Sequence, residues 1–484
     1  MTVSASVALR APIAIWIAGA ATVLVAAVVL AVASHRFGYD TEVIDMPVLA
    51  VTACLVTFGL LFAWAVPQLI VKNTTLSQRE TRIVLAIIVA TGVAARLVMF
   101  TSEPVLEDDY QRYLWDGAVT ASGANPYTQS PLSVAEAGAS GELAQLVKSS
   151  GPILRRINHP HLTTIYPPVA QAAFALANMI SPWSLNAWRI VLLGCEIATL
   201  GLLLMLLKHT MRSPLWVALY WWNPLVIKEV ANSAHMDAVV VTLVMLALLL
   251  AVTQRALLAT TALALAAAAK LWPVLLLPLI LRPLLGDPRR LAIAFTIFAA
   301  VLAPMMVPMI ASNAGVQSGL SAYAQTWSTN SALLPLLQGA VEALLQAASL
   351  SASSAPLIVR GLLAAVVGVF AFAIARPDIK NPHDLVARAG IVVAALLLLS
   401  PAQYPWYALW LVPFLAFAPT PALLLMTATL PLYYASFHFA ARETLGTAKP
   451  VILALIWAPV WTALAFEVWR APDLNAREPT AHSN

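Results

Sequence analysis

The sequence predicts an all-α fold, a polytopic bundle of roughly 12–14 transmembrane helices, from three observations. Hydrophobic residues make up 61% of the 484 residues. Charged residues account for only 10%, whereas a soluble domain carries about a quarter. The apolar residues are gathered in long runs with short polar connections between them. Such a chain cannot form a water-compatible surface, so we expect it to be embedded in lipid.

Fourteen apolar segments are predicted to cross the bilayer, whose hydrocarbon core needs about 20 residues of helix. They are residues 13–34, 46–71, 82–101, 188–207, 214–230, 236–252, 256–269, 271–285, 291–311, 355–376, 384–400, 404–418, 420–440 and 449–469. The first is longer than the apolar core of a signal peptide, so we expect it to be retained. Residues 166–180 are apolar but too short for a span, and they are predicted to form a helix along the outer membrane surface.

The positions of Lys and Arg predict the orientation, because basic connections stay on the cytoplasmic side. Most of the basic connections fall on one side, which places both termini in the cytoplasm. Residues 102–187 and 312–335 then form two outer loops of a plasma (inner) membrane protein. One membrane domain is predicted over residues 1–471, with a disordered cytoplasmic tail at 472–484. The net charge of +5 lies largely in these connections, so it does not indicate nucleic-acid binding.

An acidic motif, Glu107-Asp108-Asp109, follows the third span and begins the long outer loop. If the next residues are helical, four polar side chains share one face: Asp109, Arg112, Tyr113 and Asp116. Three adjacent carboxylates repel one another, so one is expected to have a raised pKa, which suits a general base. The alternative is a solvated acidic loop, or a helix N-terminus that the dipole stabilises.

Further polar and aromatic residues lie at the outer ends of other segments and are predicted to line one outward-facing cleft. They are Asn125, His159, His161, Tyr166, His235, Asp237, Lys270, Trp327, Asn330, Tyr404, Trp406 and Tyr407. Each has a simpler explanation, such as a snorkelling lysine or an interfacial aromatic belt. Together they favour a cleft, because ionisable groups at membrane depth usually face a cavity. Arg96 and Glu196 lie deeper, and we expect them to pair between helices.

Several of these stretches resemble the membrane-embedded glycosyltransferases of the GT-C fold, in particular the bacterial members that use polyprenol-phosphate mannose. The resemblance spans about residues 105–410 and is carried by residues 108–126, Thr164-Ile165-Tyr166-Pro167-Pro168, His235-Met236-Asp237, Lys270-Leu271-Trp272-Pro273 and Pro405-Trp406-Tyr407. The chain departs from this pattern in one respect. Two additional spans precede the acidic motif, where many relatives have one.

The resemblance implies a hexosyltransferase that moves a sugar from a polyprenyl-phosphate donor to an acceptor hydroxyl on the outer face. Asp108 or Asp109, beside Glu107, would be the general base. Lys270, Arg112 or His235 would stabilise the departing phosphate. Mannose is the sugar that the resemblance favours, and arabinose, glucose and galactose remain open. The acceptor is open among a glycolipid, a polysaccharide and a protein.

No cofactor is predicted. The carboxylates could alternatively bind a divalent ion, as in a few relatives, but the sequence gives no ligand set for one. The competing class is a multi-pass transporter or flippase of a polar or lipid-linked envelope substrate. Such proteins place ionisable residues midway, often between internal repeats. This sequence shows no repeat and gathers its polar residues on one side, which favours an enzyme. A third class, a structural membrane partner with no site, would not need both acids and cations.

Overall fold

The computed structural model describes residues 3–73, 76–136, 141–312 and 318–475. Over these ranges the chain is helical apart from turns, loops and two isolated bridges that join Thr329 and Asn330 to Ala402. The predicted all-α membrane bundle is therefore confirmed. The last helix ends at Asn475, so most of the tail predicted at 472–484 lies outside the described residues.

The α-helices are numbered in chain order. The first eight are α1 Val3–Ser34, α2 Val48–Lys72, α3 Gln78–Met99, α4 Asp109–Ala121, α5 Pro131–Glu136, α6 Glu142–Ser149, α7 Pro168–Ile180 and α8 Leu185–His209. The next eight are α9 Ala218–Trp221, α10 Pro224–Val226, α11 Asp237–Val252, α12 Ala256–Ala267, α13 Leu277–Leu281, α14 Pro288–Ser312, α15 Gly319–Thr326 and α16 Leu334–Ala347. The last six are α17 Ala355–Ala375, α18 Pro382–Leu399, α19 Val412–Leu415, α20 Pro421–Thr429, α21 Ala435–Ala440 and α22 Leu445–Asn475.

Nine helices in the described ranges are long and apolar enough to cross a membrane, or ten if one bent pair counts as a span. Fourteen predicted spans are therefore too many by this criterion. The other five segments are short or broken, at 214–230, 236–252, 256–269, 271–285 and 404–418. Proline is one physical reason, because residues such as Pro224, Pro273 and Pro413 interrupt the regular hydrogen bonding of a helix. Neighbouring helices shield the backbone groups that these breaks expose.

The ends of α1 and α3 lie together, since the Glu103 backbone N–H donates to Ser34 Oγ at 3.0 Å. Residues 35–47, 100–136 and 141–184 therefore share one end of the bundle, which we call the loop face. Two of the basic connections also lie together. Arg282 donates to Asp378 Oδ1 and to the Arg376 carbonyl, each at 2.7 Å, as the charge pattern predicts.

Helix α4, which follows the acidic motif, packs tightly on α7 and α8. A Cβ at Gly117 would lie 2.4 Å from the Phe174 carbonyl oxygen, so this approach requires glycine. Tyr113 stacks on Phe174 with ring centroids 4.7 Å apart. The predicted helix at 166–180 is present as α7, and its Val169 N–H donates to the Ala268 carbonyl at 2.9 Å. The long loop is thereby fixed beside the end of α12, where Lys270 follows.

A break between α10 and α11 brings polar residues into the bundle. The chain bends by 119° between Pro224–Asn232 and Asp237–Val252, and Ala234 at the bend has φ of 62°. Asn232 connects this break to the chain just before the acidic motif: its Nδ2 donates to the Glu103 carbonyl at 2.8 Å, and its Oδ1 accepts from the Val105 N–H at 3.1 Å. The acidic motif and the break are thus held against each other.

The predicted pairing of Arg96 with Glu196 is confirmed deep in the bundle. The guanidinium donates to both carboxylate oxygens, at 2.9 and 2.6 Å, and both side chains are buried. Arg96 Nη1 also donates to the carbonyls of Gly92 and Trp221. This bidentate contact joins α3 to α8 beneath the loop face.

Candidate active site

A cavity of about 690 Å³ lies beside the acidic motif. Its walls come mainly from five parts of the chain: residues 37–46, the acidic motif with α4, residues 158–167, the Asp237 and Lys270 region, and the aromatic turn at 404–410. The remaining lining residues are Met309, Tyr323, Trp327, Leu396, Ser400, Tyr433 and Phe437. Distant stretches of sequence therefore meet in one cavity, as predicted from the position of their polar residues.

One amide holds the two aspartates of the acidic motif. Asn158 Nδ2 donates to Asp108 Oδ1 at 2.7 Å and to Asp109 Oδ1 at 2.9 Å. Burial, and then the charges of Asp109 and Glu107, raise the pKa of Asp108 to about 7. Burial also raises the pKa of Asp109. A carboxyl group with a pKa near neutral suits proton transfer at physiological pH.

Glu107 points into a buried network with the break between α10 and α11. Its Oε1 accepts from the Tyr434 hydroxyl at 2.7 Å, and the same hydroxyl lies 3.0 Å from Glu229 Oε1. Lys228 Nζ lies 3.3 Å from Glu229 Oε2 and 3.9 Å from Glu107 Oε1, and it also contacts the Tyr434 hydroxyl. The Lys228 ammonium therefore balances the charges of two carboxylates, those of Glu107 and Glu229. The network fixes Glu107 at the cavity wall.

His235 is fully buried behind the cavity wall and stacks on Trp406 with ring centroids 4.2 Å apart. Its Nε2 lies 3.5 Å from Glu107 Oε2 and 3.5 Å from Glu229 Oε2. Its Nδ1 lies 3.8 Å from Asp109 Oδ2. Within the described part of the chain, neither ring nitrogen has a well-aligned hydrogen-bond partner. The ring therefore connects the Glu107 network to Asp109 through electrostatic contacts.

The cationic part of the cavity is formed by Lys270. Its Nζ donates to Asp237 Oδ1 at 2.6 Å, and Trp410 Nε1 donates to the same oxygen at 2.6 Å. The ammonium also lies 4.5 Å from the centre of the Tyr407 ring. Asp237 is buried, whereas Lys270 is partly exposed. The lysine is therefore held in place with an ammonium that remains accessible from the cavity.

Arg112 adds a second cation to the wall, and Asp116 orients it. Arg112 Nε donates to Asp116 Oδ1 at 2.9 Å, while Asp116 Oδ2 accepts from Thr164 Oγ1 at 2.5 Å and from Gln171 Nε2 at 3.3 Å. Arg112 Nη1 donates to the Leu162 carbonyl at 3.1 Å. Its Nη2 has no partner among the described residues. This nitrogen is buried, so the guanidinium is fixed in the cavity wall with one donor group unused.

Aromatic side chains from the two loops and from the aromatic turn at 404–410 meet at the cavity. His159 and Trp327 lie edge to face with ring centroids 4.7 Å apart. The hydroxyls of Tyr323 and Tyr407 are 2.8 Å apart, and Tyr404 stacks on Trp406 at 4.4 Å. This arrangement provides flat apolar surfaces and hydroxyl groups, a combination that suits a sugar ring.

The structure brings most of the sequence-predicted site residues together. The cavity wall contains Glu107, Asp108, Asp109, Arg112, Tyr113, His159, Tyr166, Asp237, Lys270, Trp327, Tyr404, Trp406 and Tyr407. Asp116 and His235 lie directly behind it, in contact with Arg112 and Trp406.

Three further predicted site residues lie neither in the cavity wall nor directly behind it. Asn125 is exposed, and its Oδ1 accepts from the Tyr127 N–H at 2.9 Å in a local turn. His161 is also exposed, and its ring centroid lies 6.1 Å from that of His159. Asn330 is buried and its Nδ2 donates to the Gln403 carbonyl, so it joins the second loop to the aromatic turn. These three residues therefore stand apart from the cavity lining, and their role in substrate binding stays a prediction.

Several important residues were not among the predicted site residues. Glu229 and Lys228 are adjacent in sequence and could equally neutralise one another. Tyr434 lies inside an apolar stretch and gives no sequence signal. Asn158 stands among basic residues and histidines, a pattern that indicates contact with a lipid phosphate instead. Only the folded chain shows that they support the acidic motif.

Glu107, Glu229 and His235 each offer a ligand atom within 4.8 Å of the others. The donor set of two carboxylates and one imidazole is one that divalent metals accept. The Lys228 ammonium already lies against these carboxylates, and a metal there would be repelled by it. We therefore describe the cluster as neutralised by lysine and assign no metal to it.

The fold and the site together define a class: a polytopic membrane protein with an acid-and-cation cavity enclosed by its loops. The family follows from comparison with known proteins. Residues 13–285, more than half of the chain, match the family model described as alpha-(1->6)-mannopyranosyltransferase, N-terminal domain, and the chain belongs to this family. No curated protein and no solved structure gives a significant match. The protein is therefore a membrane mannosyltransferase by family, in agreement with the resemblance to GT-C enzymes.

Proposed function

We propose that the protein transfers mannose from a polyprenyl-phosphate donor to an acceptor hydroxyl, with Asp108 as the general base. The observation that carries this proposal is the cavity, in which Asp108 and Asp109 share space with Lys270 and Arg112. A sugar on a polyprenyl phosphate already carries its leaving group. The protein has to supply a base, cations for the departing phosphate and access from the lipid, and each requirement has a counterpart in the structure.

In the proposed reaction, the acceptor oxygen forms a bond to the anomeric carbon of the donor as the bond from that carbon to the phosphate oxygen breaks. Asp108 takes the proton of the attacking hydroxyl. Polyprenyl phosphate leaves with the electron pair, and its negative charge faces the Lys270 ammonium and the positive charge of Arg112 in the cavity wall. Preorganised cations in a partly dry cavity stabilise that charge more strongly than water does.

Asp108 suits the base role better than Asp109. The pKa of Asp108 is raised to about 7, so the carboxylate is a stronger base than an ordinary aspartate and remains available at neutral pH. Asp109 lies 3.8 Å from His235 Nδ1 and is attracted to that ring. We therefore give Asp109 the role of orienting the acceptor, with Glu107 as its support.

A side groove supports entry of the donor tail from the lipid. A cavity of about 290 Å³ between α17 and α18 shares Tyr323, Trp327, Leu396 and Ser400 with the main cavity. Its deeper walls are apolar side chains such as Leu363 and Val367. The groove meets the main cavity beside Tyr323 and Tyr407, and Tyr407 lies under the Lys270 ammonium. A polyprenyl chain in this groove would bring its phosphate to Lys270.

The loop face is proposed to be the outer face of the plasma membrane, on the basis of the basic connections at the opposite end. The family description implies that the new bond is an alpha-1,6 linkage, so the acceptor hydroxyl is that on carbon 6 of a sugar. The runner-up, a transporter or flippase, has no support from the family match.

The test is an assay of the purified protein with a panel of polyprenyl-phosphate sugars and a mannoside acceptor. Transfer from polyprenyl-phosphate mannose, with the nucleotide-sugar form inactive, is the expected result. Transfer from a nucleotide sugar alone would remove the lipid donor from the proposal. Movement of the lipid-linked sugar across vesicles without transfer would favour a flippase.

A further inference from the structure

The main cavity extends beyond the acidic motif to the connection between α1 and α2. Five residues of this connection line the cavity: Phe37, Tyr39, Thr41, Val43 and Met46. A turn in the connection is closed by the Thr41 N–H, which donates to the Gly38 carbonyl at 2.9 Å. Tyr39 lies within that turn and is 56% exposed. A large aromatic ring that lines a cavity and is more than half exposed is available to a ligand.

Two arginines fix this connection in place. The Arg156 guanidinium lies over the Tyr39 ring, 4.3 Å from its centre, and is 3.7 Å from Asp40 Oδ2. Arg442 Nη2 donates to the Ile44 carbonyl at 3.0 Å. The connection is therefore held by the long loop on one side and by the end of α21 on the other. Because the Tyr39 ring is already held, a ligand that contacts it has less conformational entropy to overcome.

The connection adjoins the acids of the cavity. Phe37 and Met46 pack in one group of apolar side chains with Leu106, which directly precedes the acidic motif. Arg156, which covers the Tyr39 ring, is two residues before Asn158, and two residues of chain span at most about 7 Å. Asn158 in turn donates to both aspartates. Tyr39 is therefore tied through the long loop to the proposed base.

The cations of the cavity belong to other walls. Lys270 is paired with Asp237, and Arg112 belongs to α4. The residues of the connection that line the described cavity are all uncharged. Arg156 is outside that lining and is paired with Asp40. A phosphate at this end of the cavity would lose water without gaining a cation from the connection, whereas a neutral polar ligand would not carry that cost.

From this arrangement we infer that Tyr39 is a platform for the second sugar of the acceptor, so that the protein selects acceptors of two or more sugars over single sugars. The inference rests on the proposed function and adds a specificity-determining residue to it. The outer sugar of the acceptor presents its hydroxyl to Asp108, and the next sugar lies on the Tyr39 ring. The Thr41 hydroxyl, from the same turn, is a hydrogen-bond partner for that second sugar. Sugars are neutral, with apolar ring faces and polar edges, and an exposed aromatic ring beside a hydroxyl matches them.

The test compares two acceptors that differ by one sugar. The ratio kcat/KM is measured for a methyl mannoside and for the corresponding alpha-1,6-linked methyl dimannoside, with polyprenyl-phosphate mannose as the donor. Tyr39→Ala removes the ring, whereas Tyr39→Phe retains it. Trp64→Ala is the matched control, because Trp64 is an exposed aromatic residue of α2 that lines neither the main cavity nor the side groove.

The wild-type protein should prefer the dimannoside by about tenfold, the effect expected of one stacked ring. Tyr39→Ala should remove this preference by decreasing kcat/KM for the dimannoside alone. Tyr39→Phe and Trp64→Ala should keep the preference, and the donor KM should not change in any variant.

Three results would overturn the inference. An equal decrease for both acceptors in Tyr39→Ala would mean that this residue acts through the fold or the first sugar. An unchanged preference in Tyr39→Ala, or none in the wild-type protein, would mean that the ring does not select a second sugar. A raised donor KM with unchanged acceptor values would place the donor at this end of the cavity.

A binding measurement without turnover separates this inference from the proposed function. In saturation-transfer NMR without donor, the dimannoside should contact the wild-type protein through both sugars, and Tyr39→Ala through the outer sugar alone. This pattern in a protein without transferase activity would retain the second-sugar site and remove the proposed reaction. Transfer by a wild-type protein that contacts only the outer sugar would retain the reaction and remove the second-sugar site.

Discussion

Asn158 donates a 2.7 Å hydrogen bond from Nδ2 to Oδ1 of Asp108, a residue that lies 50 positions earlier in the chain. The same Nδ2 reaches Asp109 at 2.9 Å. This amide offsets part of the repulsion between two adjacent carboxylates, and it fixes the direction of both into the cavity. Asn158 is therefore a positioning residue for the proposed base.

The pH dependence of transfer follows from the pKa of Asp108. Burial, followed by the charges of Asp109 and Glu107, raises this pKa to about 7. A base acts only when deprotonated, so kcat/KM should fall as the pH decreases through about 7 and level off above it. Asn158→Ala removes a hydrogen bond that lowers this pKa, so the profile should move to higher pH. A wild-type midpoint near 4, the ordinary carboxyl range, would contradict the assignment.

Lys270→Met should slow transfer by about 10²–10³-fold, because it removes a preorganised cation at the departing phosphate. It also leaves Asp237 buried without its 2.6 Å partner, so the single variant should lose thermal stability. Lys270→Met combined with Asp237→Asn should recover stability without recovering activity. Unfolding curves in detergent and single-turnover rates measure the two effects. Recovery of activity in the double variant would show that Lys270 acts only through stability.

The buried pair of Arg96 and Glu196 should matter for stability and not for the reaction. Glu196→Ala leaves a buried guanidinium without its carboxylate, which should decrease the free energy of unfolding by about 3–5 kcal/mol. The KM of protein that remains folded should not change. Denaturation in detergent tests the first expectation, with Leu362→Ala on the exposed face of α17 as the control. A change in KM without loss of stability would place the pair in the catalytic machinery.

Cysteine labelling tests the orientation of the loop face. In a background without Cys54 and Cys195, which are both free thiols, a cysteine at Ser133 should react with a membrane-impermeant reagent applied from outside. A cysteine at Arg290, in a basic connection, should react only after the membrane is opened. The reverse pattern would place the cavity on the cytoplasmic side.

Much of the fold was predictable because lipid imposes simple rules on composition and length. Continuous spans such as α2 and α8 were predicted close to their observed bounds. The five short or broken segments were not distinguished, because hydropathy alone does not show which neighbours shield a helix interrupted at Pro273 or Pro413. The charge pattern placed the connections that contain Arg282 and Arg376 on the same side of the bundle, and the structure shows these two residues in contact.

The site was predictable where charged side chains lie between apolar segments of the sequence, as Asp108 and Lys270 do. It was less predictable where the side chains that hold the acidic motif in place come from apolar segments inside the bundle. Tyr434 lies 327 residues from Glu107 and yet donates to it at 2.7 Å, a relationship that only tertiary structure reveals. Asn330 shows a different limit: the sequence does not reveal that its side chain donates to the Gln403 carbonyl and lies outside the cavity lining.

The most direct test of the account is sugar transfer by Asp108→Asn. Purified wild-type protein and the variant are supplied with polyprenyl-phosphate mannose and a mannoside acceptor, and product formation is measured above pH 7. Loss of the general base should reduce kcat by roughly 10²–10⁴-fold, with KM for the donor and the unfolding temperature close to wild type. Wild-type kcat in a folded Asp108→Asn variant would contradict the central claim that this carboxylate accepts the proton of the attacking hydroxyl.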